Sequence, residues 1–225
     1  MAASLLGIFT GSDGQGAETT GSRTTTAGTL ITIGGAAWLG GDAPVVANTD
    51  SKSNTYTEPQ ELTFDTDVVI ALSYNMAGTR GTSHTCTCTP TPSIGAASSV
   101  TAQEWDGVAN PPTVASATNT GTASTAISVS VAVGAASLAV GLQAYNTTGI
   151  TVAPNGATQA SEQDEDNTNQ EQNVSYKVTQ TGTPSIDWTA SGNCDWGAII
   201  VTFTEAGGAT AVQDIISMGF IPFAR

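Results

Sequence analysis

A chain of 225 residues with only 11% charged and 6% aromatic side chains, rich in Thr, Ser, Ala and Gly, is long enough for a real core and favours short strands over helices. Five basic residues stand against nineteen acidic ones, a net charge of −14, so the surface repels phosphate backbones and nucleic acid is excluded as a partner. No apolar run approaches the roughly 20 residues of a membrane helix, and three cysteines are an odd number without the spacing of a disulfide framework.

The N-terminus, MAASLLGIFTGSDG, has a short apolar run without a basic flank, so no signal peptide and a soluble protein are expected. Leu5 to Thr10 predicts a first strand, followed by a Gly-rich loop over residues 11–16. Arg23 to Thr26 and Thr29 to Ala37 read as strands, and the Gly34-Gly35 pair in the second marks a bulge or a close backbone approach. Pro44 to Asn48 predicts a short strand, residues 50–54 a polar turn, and Thr55 to Thr57 an extended piece. From Asp67 to Met76 the alternation is clean, with Val68, Ile70, Leu72, Tyr74 and Met76 inward. A loop at 78–81 leads into a strand from Ser83 to Thr89, which Pro90 and Pro92 end.

In the second half, Ser99 to Trp105 reads as a strand and 106–112 as a loop. The stretch from Ser124 to Asn146 is the centre of the pattern. Ile127, Val129, Val131 and Val133 share one face; after Gly134-Ala135 the parity flips to Ala136, Leu138, Val140, Leu142 and Ala144. With Gly134-Ala135 as a two-residue turn, Val131 would face Leu138, Val129 would face Val140 and Ile127 would face Leu142. The rival is an arch carrying the chain from one sheet to the other. A polar loop spans 155–172; then Val174, Tyr176 and Val178 form one inward face and Ile186 with Trp188 the next. Cys194 to Thr204 is apolar on both faces, so it is central or lies under another element. The expectation is an all-β, antiparallel, jelly-roll-like sandwich over residues 1–206, with an extended C-terminal arm over 207–225.

Candidate chemistry is sparse. His84, Cys86 and Cys88 share one strand face, a zinc-like set, but consecutive positions on one strand splay too far to surround an ion. The bland reading, Cys86 and Cys88 as small core residues, is preferred. The acidic run Glu162, Asp164, Glu165 and Asp166 opens like a calcium loop, yet Asn169 and Ser175 stand where Gly and a carboxylate belong. Glu104 and Asp106 are two apart and read as a strand end rather than a catalytic pair. With one histidine and no nucleophile elbow, no catalytic residue, metal or cofactor is assigned.

Four segments carry a resemblance: residues 44–56 (PVVANTDSKSNTY), 83–89 (SHTCTCT), 104–108 (EWDGV) and 193–203 (NCDWGAIIVTF). Together with the central pair they resemble a β-sandwich module of tailed-bacteriophage virion proteins. The resemblance implies a structural or adhesive role; with the sandwich, the missing catalytic set and the acidic surface, the expectation is a non-enzymatic structural protein, a capsid decoration or tail-associated component of the virion assembled in the host cytoplasm. Its implied partners are other virion proteins and copies of itself. The family pattern has aliphatic residues where Cys86 and Cys88 stand, and no catalytic residues come with it. The alternative is a carbohydrate-binding or adhesin module that meets a host-surface glycan on exposed Trp38, Trp105 or Tyr145.

The tail has its own signal. Beyond Gly207-Gly208 come Val212, Ile215, Ile216, Met218, Phe220, Ile221 and Phe223, too apolar to hang free in water. Ile215, Ile216, Met218, Phe220, Ile221 and Phe223 are therefore the expected partner-binding residues. The competing expectation lays the arm over the Trp196, Ala198 and Ile200 face of its own domain.

Overall fold

The computed structural model describes residues 1–41, 44–93, 95–147, 149–164 and 171–207. They form strands β1 (Ser4–Gln15), β2 (Glu18–Thr19), β3 (Leu30–Trp38), β4 (Val45–Asp50), β5 (Thr57–Phe64), β6 (Val68–Asn75), β7 (Cys86–Thr91), β8 (Ala97–Asp106), β9 (Val114–Ser130), β10 (Val133–Tyr145), β11 (Val152–Asn155), β12 (Thr158–Asp164), β13 (Glu171–Gly182) and β14 (Ser185–Thr204). All named pairings are antiparallel.

A five-stranded sheet, β1-β8-β3-β6-β5, faces a six-stranded one, β11-β14-β10-β13-β12 with β9 on the other side of β14. The expected antiparallel sandwich is what forms. Its central core is built from alternate residues of facing strands: Leu30 and Ala36 of β3, Val68, Ile70 and Leu72 of β6, Leu138, Val140, Leu142 and Ala144 of β10, and Ile199, Val201 and Phe203 of β14. Each of the larger side chains among them (Val, Leu, Ile, Phe) adds roughly 1.5–3 kcal/mol of burial free energy.

Both sheets are also covered on their outer faces. On the first, a small sheet β2-β7-β4 closes a second core in which Ile31, Ile33, Val69, Ala71, Val100 and Ala102 meet Cys86, Cys88 and Val46. Gly35 lies under it: a Cβ there would sit 2.9 Å from Cys88 Sγ. The glycine pair thus serves a close approach, since β3 pairs with both neighbours without a register shift.

On the second sheet, the cover is made by the sheet's own strands. β9 and β14 pair over nearly their full lengths, but the register breaks between Thr189 and Trp196, opposite Ala123 with φ of 47°. There the two-stranded ribbon doubles back. Ile127, Val129, Ile186 and Trp188 pack onto Ala139, Trp196, Ala198 and Ile200 as a third core. Gly141 permits the approach: a Cβ on it would come within 2.8 Å of both Ile186 and Trp188 side chains.

This geometry corrects several expectations. Gly134-Ala135 is not a hairpin turn, because β9 and β10 never pair; β14 lies between them, bonded to both. The alternation correctly marks the inward residues of each strand, but matching parity does not make two strands neighbours. The loop expected at 11–16 is mostly strand, since β8 offers partners as far as Ala97 opposite Gln15. The polar loop expected over 155–172 contains β12 and the start of β13, paired Thr158 to Tyr176 through Asp164 to Glu171. Backbone pairing suffices there without an apolar signal. Arg23 to Thr26 contributes one bridge, Arg23 to His84, rather than a strand. The face of Trp196, Ala198 and Ile200, expected as a berth for the arm, is filled by the doubled-back ribbon. The arm residues Ile215, Ile216, Met218, Phe220, Ile221 and Phe223 themselves lie outside the described residues.

Candidate functional site

The densest side-chain chemistry surrounds Asp50, the last residue of β4. Its Oδ1 accepts the backbone N–H groups of Lys52 and Asn54, both at 3.0 Å, which builds the predicted polar turn from within. Its Oδ2 accepts Asn54 Nδ2 at 2.6 Å, the Tyr56 hydroxyl at 2.9 Å and His84 Nε2 at 2.9 Å. On the other side of the imidazole, Nδ1 lies 2.9 Å from Thr25 Oγ1, which in turn accepts Gly81 N–H at 3.2 Å. In the tautomer with the hydrogen on Nε2, which donates to the carboxylate, Nδ1 accepts from the Thr25 hydroxyl.

Hydroxyl, imidazole and carboxylate in this order are the parts of a nucleophile, its base and the group that orients the base. Exposure decides their use. The His84 and Asp50 side chains are 0% exposed and Thr25 is 5% exposed, while the Phe9 ring meets the imidazole edge-on at 5.6 Å. A substrate cannot reach the hydroxyl. The network instead joins the end of β4, the entry to β7 and the 23–25 segment, where Arg23 and His84 exchange backbone hydrogen bonds of 2.9 and 2.8 Å. Burial pushes the Asp50 pKa up, but hydrogen bonds from Asn54, His84 and Tyr56 outweigh it and hold the carboxyl below its ordinary range.

The zinc-like reading of His84, Cys86 and Cys88 fails on the imidazole: both ring nitrogens are engaged by Asp50 and Thr25, leaving no free lone pair for an ion. Cys86 and Cys88 are fully buried. Burial pushes the Cys88 thiol up to about 12 and raises Cys86 as well, with Asp50 adding to the latter shift. Cys194, next to the fold-back, is pushed up to about 11 by burial.

Glu104 and Asp106 form no open carboxylate pair. Glu104 is 1% exposed and accepts Thr26 N–H at 2.6 Å, the Thr29 hydroxyl at 3.0 Å and Arg23 Nε at 3.3 Å. Asp106 is exposed and accepts the N–H of Gly107 at 2.7 Å.

The sugar platform expected from Trp38, Trp105 and Tyr145 is likewise corrected. Trp105 is 0% exposed in the central core, with Nε1 donating to Thr32 Oγ1 at 3.0 Å and its ring edge-on to Tyr176. Tyr145 is 1% exposed in the ribbon core, its hydroxyl donating to the Ile150 carbonyl at 3.0 Å. Trp38 is half-buried, its indole held by Asp67 at 2.8 Å. Trp105 lies in the central core, against which Trp38 also packs, and Tyr145 lies in the ribbon core, so no exposed aromatic surface gathers them. Of the calcium-like run, Glu165 and Asp166 lie outside the described residues, and Glu162 and Asp164 fall on β12.

No family model, curated protein or solved structure matches this chain.

The remaining features concern the exit of the chain and the sheet edges. β14 ends with Thr204 N–H donating to the Thr113 carbonyl at 3.1 Å, and Glu205 and Ala206 donate to Ala136 and Gly107 at 3.0 and 2.7 Å. The Glu205 carboxylate accepts Thr179 N–H at 2.6 Å, and the Met1 ammonium meets the Ala206 carbonyl. The chain is therefore pinned until Gly207. Beside this exit, Ala115, Ala132, Val133, Ala135, Thr202 and Thr204 help line a cavity of about 190 Å³.

Sequence reasoning missed Asp50 and Thr25 as partners of His84. The signal for Asp50 was its place at the head of a DSKSN turn; for Thr25 there was none, since its partner lies 59 residues away.

Proposed function

We propose that this chain is a non-enzymatic structural protein of a tailed-phage virion, a capsid decoration or tail-associated component. It acts by assembly with copies of itself and with other virion proteins, through the segment from 207 to 225. The observation that carries this reading is the fate of the apolar tail. The competing berth on its own domain, over Trp196, Ala198 and Ile200, is occupied by Ile127, Val129, Ile186 and Trp188. Seven large apolar residues thus follow a pinned exit at Gly207 and call for a surface on a partner.

Three further features support it. The most catalysis-like constellation, Thr25–His84–Asp50, is closed to solvent. Glu104 is consumed by structural hydrogen bonds. The outer faces of both sheets are covered within the chain, which leaves edges and termini as contact points. The carbohydrate-binding alternative loses Trp105 and Tyr145 to burial. Deleting residues 209–225 tests the proposal. The truncated protein is expected to fold, to change oligomeric state and to fail to join particles. Retention of both properties would refute the reading.

A further inference from the structure

Most described sheet edges carry a guard, and β9 is the longest that carries neither charge nor proline. Unpaired strand edges invite pairing with other chains, and proteins protect them with charge, proline or cover. Among the described strands, β1 carries Asp13 and has its outer carbonyls at Leu6 and Thr10 bonded by Arg23 and Gly21, both at 2.8 Å. β5 carries Glu58, Pro59 and Glu61; β12 carries Glu162 and Asp164; β11 has Pro154; β2 has Glu18. β4, six residues long, has only the buried Asp50 carboxylate. β9 carries neither charge nor proline, and from β5 Gln60 Nε2 donates to Ser116 Oγ at 3.0 Å. From Val114 to Ser130 it reads VASATNTGTASTAISVS, without a charge or a proline. Its only strand partner among the described residues is β14. Pairing is regular from Val114 to Gly121, so the outer edge of that run is straight, and Thr118, Asn119 and Thr120 are exposed.

We propose that the β9 edge from Val114 to Gly121 is the acceptor for the C-terminal segment 208–225 of a second copy of this chain, added as an extended strand. The inference rests on the assembly reading above and names its receiving surface. Dimensions match: the apolar stretch from Ile215 to Phe223 covers nine residues, and the regular edge has eight consecutive pairs. Alternation in an added strand would place Ile216, Met218 and Phe220 on one side of the extended sheet. Pro222, which cannot donate to a ladder, falls near the end of the segment, where pairing stops.

The exit geometry favours a second copy over the same one. β14 runs antiparallel to β9 and ends beside Val114, so the chain leaves heading away from the body of β9. Glu205 and Ala206 are then held by Ala136 and Gly107, and Ala136 belongs to β10, which lies across β14 from β9. To reach its own β9 edge, the segment would have to reverse direction.

The test uses the full chain in three forms: unaltered, T118K/T120K on the edge, and I216D/F220D in the segment. Sedimentation across a concentration series gives the mass, and hydrogen exchange gives protection of amides 114–121. The unaltered chain should associate, with exchange at 114–121 slowed at least tenfold in the associated form. Both variants should remain monomeric with unchanged circular dichroism, and a mixture of the two should not associate through one intact edge of each kind beyond a heterodimer. If I216D/F220D dissociates the chain while T118K/T120K does not, and 114–121 exchange freely, the edge proposal is overturned and the assembly reading stands. An unaltered chain that is monomeric at every concentration overturns both. Exchange data from the unaltered chain keep the test decisive should a variant misfold.

Discussion

His84 Nε2 lies 2.9 Å from Asp50 Oδ2, with both side chains removed from solvent. The pair is one link in a chain from Gly81 through Thr25 to the turn that follows β4. Its chemistry is that of a fastener: a carboxylate surrounded by donors, each of which would be left unpaired by its loss.

Asp50→Ala should therefore destabilise the protein by about 3–5 kcal/mol at neutral pH, the usual range for removing one partner of a buried charged network. Because the folded pKa of Asp50 is lowered, its contribution is fully present above the unfolded carboxyl value of about 4. It is lost as pH falls through the folded value. The gap between the parent and Asp50→Asn should consequently narrow in acid. Denaturant midpoints measured from neutral to acidic pH check this, and a constant gap across the series would contradict it.

At Gly141 the ribbon presses on the sheet through Ile186 and Trp188. Gly141→Ala should destabilise by about 1–3 kcal/mol through overpacking against Ile186 and Trp188. Gly134→Ala, where a Cβ meets nothing within 4 Å, is the control and should be near neutral. Chemical denaturation of the two variants side by side distinguishes a seated ribbon from a loose one; equal midpoints would mean that it does not sit on Gly141.

All three cysteines are free and buried, with thiols raised by burial. Since the thiolate is the reactive form, a thiol reagent at neutral pH should label the native protein negligibly and modify three sites after unfolding. Rapid labelling of Cys86 or Cys88 in the native state would show that the small sheet opens.

Strand faces were legible in the sequence because the period-2 pattern is local. Val68, Ile70 and Leu72, and Leu138, Val140, Leu142 and Ala144, share the central core as their alternation required. The two-faced apolar run from Cys194 to Thr204 announced a strand covered on both sides. The candidate site was less legible. Cys86 and Cys88 could be read as core residues, whereas the partners of His84 could not, since Asp50 and Thr25 reach it across 34 and 59 residues.

Tertiary structure alone decided which strands are neighbours and what covers them. Parity says that Ile127 and Val129 share a face, but the same parity serves a hairpin with β10 or a ribbon with β14, and the long-range register chose the ribbon. Doubling that ribbon back, and laying β2, β7 and β4 over the other sheet, converted both outer faces into cores. Trp105 and Tyr145 became interior residues for that reason. A strand's sequence records how many of its faces are apolar; the element that fills each face is selected by the packing of the whole chain.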